Sequence, residues 1–166
     1  MQSFLKQLNH CIQRQQHLYQ ALKDLFIAER SAILISDVER LNRIVVDKER
    51  VLKDIGAVEI QRHHNMQQLA TCLKEDAAAL TLSRLCGLIE EPMATMLKRA
   101  GRDLQNLVEA IQTESERNRS LCLQALQFIN GSIQMITSLI DPQCVYQPSG
   151  KMGNERPVGR MLSGAV

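Results

Sequence analysis

Apolar residues at the start of the chain recur in alternating steps of four and three. Met1, Leu5, Leu8, Ile12, Gln15, Tyr19, Leu22, Phe26, Glu29 and Ile33 form one track, interrupted by two polar positions. Phe4, Cys11, Leu18, Leu25 and Ala32 form a second column every seven residues. Together they predict a helix near 2–35 whose apolar stripe is wide enough for two neighbours. Ser36-Asp37-Val38-Glu39 reads as a capping box from Ser36 to Glu39 and opens a second helix near 37–74. Its seam is Val38, Leu41, Val45, Lys48, Leu52, Ile55, Glu59, Arg62, Met66, Leu69 and Leu73, beside a column of Ile44, Val51 and Val58. So short a turn makes the two helices antiparallel neighbours, and the sustained heptads predict a coiled-coil crossing.

The pattern breaks in KEDAAALTLSRLCGLIEEP, which predicts a connection followed by a short helix near 81–89. Pro92 suits the first turn of a third long helix, where its missing N–H costs nothing. That helix is predicted over 92–140 on the track Met93, Leu97, Ala100, Leu104, Leu107, Ile111, Glu114, Asn118, Leu121, Ala125, Phe128, Ser132, Met135 and Leu139. At about 1.5 Å per residue it would be roughly 70 Å long, more than either earlier helix. Part of it is therefore expected to overhang, bend or meet something else. TESERNRS (113–120) is the weakest stretch of the track and the expected bend.

The end of this helix carries a second apolar row of Cys122, Leu126, Ile129, Ile133, Ile136 and Ile140, which only Val108 continues upstream. One row can close a bundle, and the second needs a further layer. Either the first two helices cover both rows, or the second row is partly a docking face, since so many wet apolar side chains form an unusual patch.

The predicted fold is all-α. It is an elongated antiparallel helical bundle or coiled coil of three long helices plus one short helix, with a helical domain at 1–140 and a flexible C-terminal tail at 141–166. Four Gly and three Pro in DPQCVYQPSGKMGNERPVGRMLSGAV leave the tail too little apolar surface to order by itself. Asp141-Pro142 disfavours continuing the helix. Tyr146 is the one large aromatic in the tail, suited to anchoring a contact with a partner.

Composition narrows function more than it defines it. The 166 residues carry a net charge of +2 with both signs mixed, which predicts no nucleic-acid partner. No apolar run is long enough to predict membrane insertion, and the N-terminus lacks the basic and apolar blocks of a secretory signal. Five scattered cysteines, Cys11, Cys72, Cys86, Cys122 and Cys144, read as reduced thiols of a cytoplasmic protein. Cys-x-x-Cys and His-x-x-x-His pairs are both absent, and His10, His17, His63 and His64 share no face with a carboxylate at ligand spacing, so no metal or cofactor is expected. No local nucleophile–base set or Gly-rich phosphate loop points to an enzyme. Lys48, Glu59 and Arg62 fall on the core seam. The plainer expectation is that they snorkel from its edge to water. The alternatives are a polar cluster that fixes helix register and, more remotely, a ligand site.

ERSAILISDVERLNRIVVDKERVLKDIGAVEIQR resembles the helix-turn-helix start of FlgN-type flagellar export chaperones. The matching positions are Glu29, Ile33, Leu34, Asp37, Leu41, Lys48, Val51, Leu52, Glu59 and Arg62. LTLSRLCGLIEEP is similar to the family's short middle segment, and SERNRSLCLQALQFINGSIQMITSLI to its Asn-x-x-Leu helix, ending in Tyr-x-x-x-Gly at Tyr146 and Gly150. The family's usual second Asn ahead of the apolar run is missing, and Glu114 and Ser115 lie there. The resemblance covers about residues 5–152. It implies a cytoplasmic export chaperone, not an enzyme, that binds the helical terminal segments of flagellar hook–filament junction proteins and delivers them to the flagellar type III export apparatus. With the second row, it makes Cys122, Leu126, Ile129, Ile133, Ile136, Ile140, Tyr146 and Gly150 the candidate partner-binding residues. The competing expectation is a homodimeric coiled-coil adaptor that uses the same rows between copies and has no secreted client.

Overall fold

The heptad tracks form helices in the order read from them. In the structure, a computed structural model describing residues 1–140 with side chains through residue 138, these are α1 (Gln2–Leu34), α2 (Val38–Leu73), the short α3 (Leu82–Leu88) and α4 (Met93–Ile140). No strand occurs among the described residues. Each boundary lies within a residue of its expected place, which is the ordinary fraying of helix ends.

The turn between α1 and α2 corrects the expected capping box. Asp37, not Ser36, is the N-cap, and its carboxylate accepts the Arg40 N–H at 2.9 Å. Ser36 is committed to closing α1. It sits in the left-handed region at φ 56°, its N–H reaching the Ile33 carbonyl, while the Asp37 N–H reaches that of Ala32. Lys74 ends α2 the same way at φ 56°, with bonds from Lys74 to Thr71 and from Glu75 to Ala70. Both ends are Schellman closures without the usual glycine. Thr81 caps α3 by accepting from the Arg84 N–H, and the Glu91 carboxylate accepts the Thr95 N–H at the start of α4.

Cross-helix pairs give the directions. Glu29 meets Lys48, Gln15 meets Glu59 and Cys11 meets Asn65, so α1 and α2 are antiparallel. Gln16 donates to the Ala100 carbonyl and Arg30 to Glu114, so α4 runs parallel to α1. Two cores result. The larger joins Leu5, Leu8 and Ile12 of α1, Met66, Leu69 and Ala70 of α2, Leu85 and Cys86 of α3, and Ala94 and Leu97 of α4. The smaller is Leu22, Ile55 and Ile111, with Leu18, Tyr19, Phe26 and Val51 packed against it. Burial pushes the Cys86 thiol pKa up, as suits an unreactive core cysteine.

One seam is corrected. Ile44 and Val58 are buried and Val51 is half-buried, whereas Val38, Val45 and Leu52 are exposed. Neighbouring heptad columns lie about 100° apart on a helix, and along the first half of α2 the Ile44 column faces the bundle together with half-buried Leu41 and Lys48, while the column of Val38, Val45 and Leu52 faces out. From Ile55 onward the expected seam returns inward at Met66 and Leu69.

The chain divides into two compact units, Met1–Ala125 and a second beginning at Leu126. Both cores lie in the first. The expected boundary at 140/141 falls at the edge of the described residues, and the tail at 141–166 lies outside them.

Candidate functional site

The last turns of α4 differ chemically from the rest of the helix. After Arg119, LCLQALQFINGSIQMITSLI (residues 121–140) holds no Asp, Glu, Lys or Arg. Burial changes over the same stretch. The α4 track is buried or half-buried from Met93 to Leu121, with Leu97 fully covered, and then every residue from 122 to 131 is exposed.

The predicted row is therefore open to solvent as far as it is described. Cys122 is an exposed free thiol, and Leu126, Ile129, Ile133 and Ile136 are each exposed by about half, at 56, 51, 53 and 54%. Their three- and four-residue spacing puts them on one face. The Ile140 side chain, Tyr146 and Gly150 lie outside the described residues. Sequence reasoning assigned the other track to bundle closure, yet past Leu121 it is just as open: Phe128 is 77% exposed and Met135 67%. Leu123, on neither track, is also exposed. Polar residues interrupt the apolar ones at Gln124, Gln127, Asn130 and Gln134, and no described helix is long and apolar enough to cross a membrane.

Where α4 last packs on the bundle, polar side chains join three helices. Lys48 donates to Glu29 at 2.5 Å and lies 3.6 Å over the Phe26 ring. Asn118, 4% exposed, donates to Glu29 and to the Phe26 carbonyl, both at 2.7 Å. Arg30 and Arg117 both pair with Glu114. TESERNRS, expected as the bend, is helical throughout and supplies these ties. Farther along, Gln15, 1% exposed, donates to Glu59, which also accepts both Arg62 donors. Lys48, whose side chain is 12% exposed, departs from the expected snorkelling and joins a polar cluster that bridges helices, whereas Glu59, with a side chain 48% exposed, reaches water from the seam edge as expected while pairing with Arg62 and Gln15. Such clusters accept one register, because a shift would strand desolvated polar groups.

The Arg62 hydrogen bonds hold the Glu59 carboxyl below its ordinary pKa, against the opposing effect of burial, and Gln15 adds to the lowering. A carboxyl lowered on folding stabilises the protein above its unfolded pKa, and this stabilisation is lost as pH falls through the folded value. Glu59→Gln is expected to lower stability near neutrality and to change little at acid pH, where the carboxyl is already protonated, so the acid side of the stability–pH profile flattens. Urea unfolding across that range measures it; an unchanged acid limb would show that the Arg62 pairing has no weight.

Among the described residues no group of three or more His, Cys, Asp or Glu is placed to hold a metal ion. What the site offers is an uncharged, apolar helical face.

In comparisons with known proteins, a family model described as "FlgN protein" matches residues 1–154. The comparisons with curated proteins and with solved structures gave no match.

Proposed function

Because the chain belongs to the FlgN family of flagellar export chaperones, we propose that it binds the hook–filament junction proteins in the cytoplasm and passes them to the flagellar type III export apparatus. The observation that carries this reading is the exposure of Leu126, Ile129, Ile133 and Ile136 on an uncharged helix. An amphipathic helix of the client lays its apolar face along this row, the ordinary mode of helix-to-helix capture. Each such side chain is worth about 1.5–3 kcal/mol when fully buried, so even partial cover of four or five gives useful affinity after the cost of association. Covering the client's helix also delays its pairing in the filament. The residues proposed for binding are Cys122, Leu126, Ile129, Ile133, Ile136, Ile140, Tyr146 and Gly150. No chemical step is required of the chaperone.

The alternative is pairing of the same rows between two copies. Size-exclusion chromatography with light scattering, on the protein alone and mixed with purified hook–filament junction proteins, separates the readings. An equimolar complex with a junction protein is expected. A stable dimer that takes up no junction protein would favour the adaptor. A chain truncated after Ile140 tests the tail: it should bind more weakly than the full chain, and equal binding would remove Tyr146 and Gly150 from the site.

A further inference from the structure

A second surface, within the first unit, has a different character. The antiparallel pairing of α1 and α2 brings the N-terminal part of α1 beside the C-terminal part of α2. Residues 1–23 contain Lys6, Arg14 and Lys23 and no acid, and residues 60–74 contain Arg62 and Lys74 and no acid. All four histidines of the chain, His10, His17, His63 and His64, fall in these two segments. The acids that flank these segments are Asp24, Glu59 and Glu75, and each already accepts from a side chain: Gln20 for Asp24, Arg62 and Gln15 for Glu59, and Arg84 for Glu75. A chain of mixed charge overall has therefore gathered one sign on one part of its bundle.

A groove of about 670 Å³ lies between the two helices there. Lys6, His10 and His64 line it together with Gln61, and its apolar lining is Cys11 and Ile60. Ile60 is 73% exposed, unusual for an isoleucine, while Cys11 is buried and accepts from Asn65 at 3.5 Å. Among the described residues, Lys6, His10 and His64 have no ion-pair partner, and no acid lines the groove. No residue of α3 or α4 lines it either, so it faces away from the cleft that those helices share with Gln15 and Glu59.

From this we infer that the α1–α2 groove is a docking site for an acidic segment of another protein, with an apolar side chain of that segment seated on Ile60 and its carboxylates against Lys6, His10 and His64. Charge complementarity selects the occupant: a rim with the Lys6 ammonium, two imidazoles able to donate hydrogen bonds and no acid, around an apolar floor, matches alternating acidic and apolar residues. The side-chain amide of Gln61 adds hydrogen-bonding capacity for the backbone of such a segment. Nucleic acid is a poorer match, because its affinity depends on several Lys or Arg contacts to phosphates, and the groove offers one lysine and two histidines. This surface is separate from the α4 row and does not depend on it.

The test is fluorescence anisotropy on the full chain with a labelled peptide of alternating glutamate and leucine. A lysine–leucine peptide, a single-stranded oligonucleotide and vesicles containing phosphatidylserine serve as competing probes. The acidic peptide should bind, weaken as salt is raised, and lose about tenfold or more in affinity to the double variant Lys6→Glu, His64→Glu. Both residues are exposed, so the variant should keep its helicity, and circular dichroism checks this. Ile60→Ser, which leaves the charge intact, should also weaken the peptide. Failure of the acidic peptide to bind, equal binding of the lysine peptide, preferential binding of the oligonucleotide or vesicles, or full affinity in a folded double variant would each overturn the proposal.

Discussion

Ile133→Asp should abolish or severely weaken the capture of a hook–filament junction protein while leaving the free chaperone folded. Ile133 is 53% exposed, on a helical stretch where every residue from 122 to 131 is also exposed. A carboxylate placed there stays hydrated in the free protein and costs little. In the complex it would have to be desolvated against the client's apolar face without a partner, which costs several kcal/mol. Binding should therefore fall by about a hundredfold or more, since each 1.4 kcal/mol is a factor of ten. The same substitution at Leu97, which is fully buried in the larger core, should instead unfold the bundle. Titration with the junction protein, alongside circular dichroism and urea unfolding, reads both effects. A large loss of stability in Ile133→Asp would make the row part of the core and remove it as a docking face.

Glu29→Ala should be the most damaging single change among the polar ties. Glu29 accepts from Lys48 and from Asn118, and those two side chains come from different helices. Removing it leaves the Lys48 ammonium, whose side chain is 12% exposed, facing only the Phe26 ring. Asn118 keeps the bond its amide nitrogen donates to the Phe26 carbonyl, but its side-chain oxygen already lacks a partner. Breaking a buried pair from one side typically costs about 3–5 kcal/mol. Lys48 and Glu29 retain some solvent contact, so about 2–3 kcal/mol is the better expectation. Glu75→Ala removes the pairing with Arg84, whose side chain is 52% exposed, and should cost less than about 1 kcal/mol. Urea midpoints of the two variants give the comparison. Equal, small effects would show that the three-helix tie contributes nothing to register.

Much of this was legible before any coordinates. Four helices, their order and their near-correct ends follow from heptad spacing, because an amphipathic helix has to place its apolar residues every three or four positions to bury them together. Three features were harder to read. The capping residue moved from Ser36 to Asp37, since helix closure at Ser36 depends on the αL geometry of the turn, which spacing does not encode. Val38, Val45 and Leu52 looked as suitable for burial as Ile44, Val51 and Val58; adjacent columns differ only in which one the partner reaches. Asn118 was visible only as a polar break in an apolar track, and its role depends on which carbonyl and carboxylate the fold brings to it. Conversely, Leu126, Ile129, Ile133 and Ile136 stood out in the sequence as a second apolar row beside the track expected to close the bundle.

The central claim is that the uncharged end of α4 receives the client. Amide hydrogen exchange on the full chain, alone and saturated with a purified hook–filament junction protein, tests it most directly. Residues 122–138 should exchange readily in the free protein and gain strong protection in the complex, while the two cores change little. Protection in the free protein equal to that of the cores, or a complex that protects other parts of the chain and leaves this stretch unchanged, would contradict it.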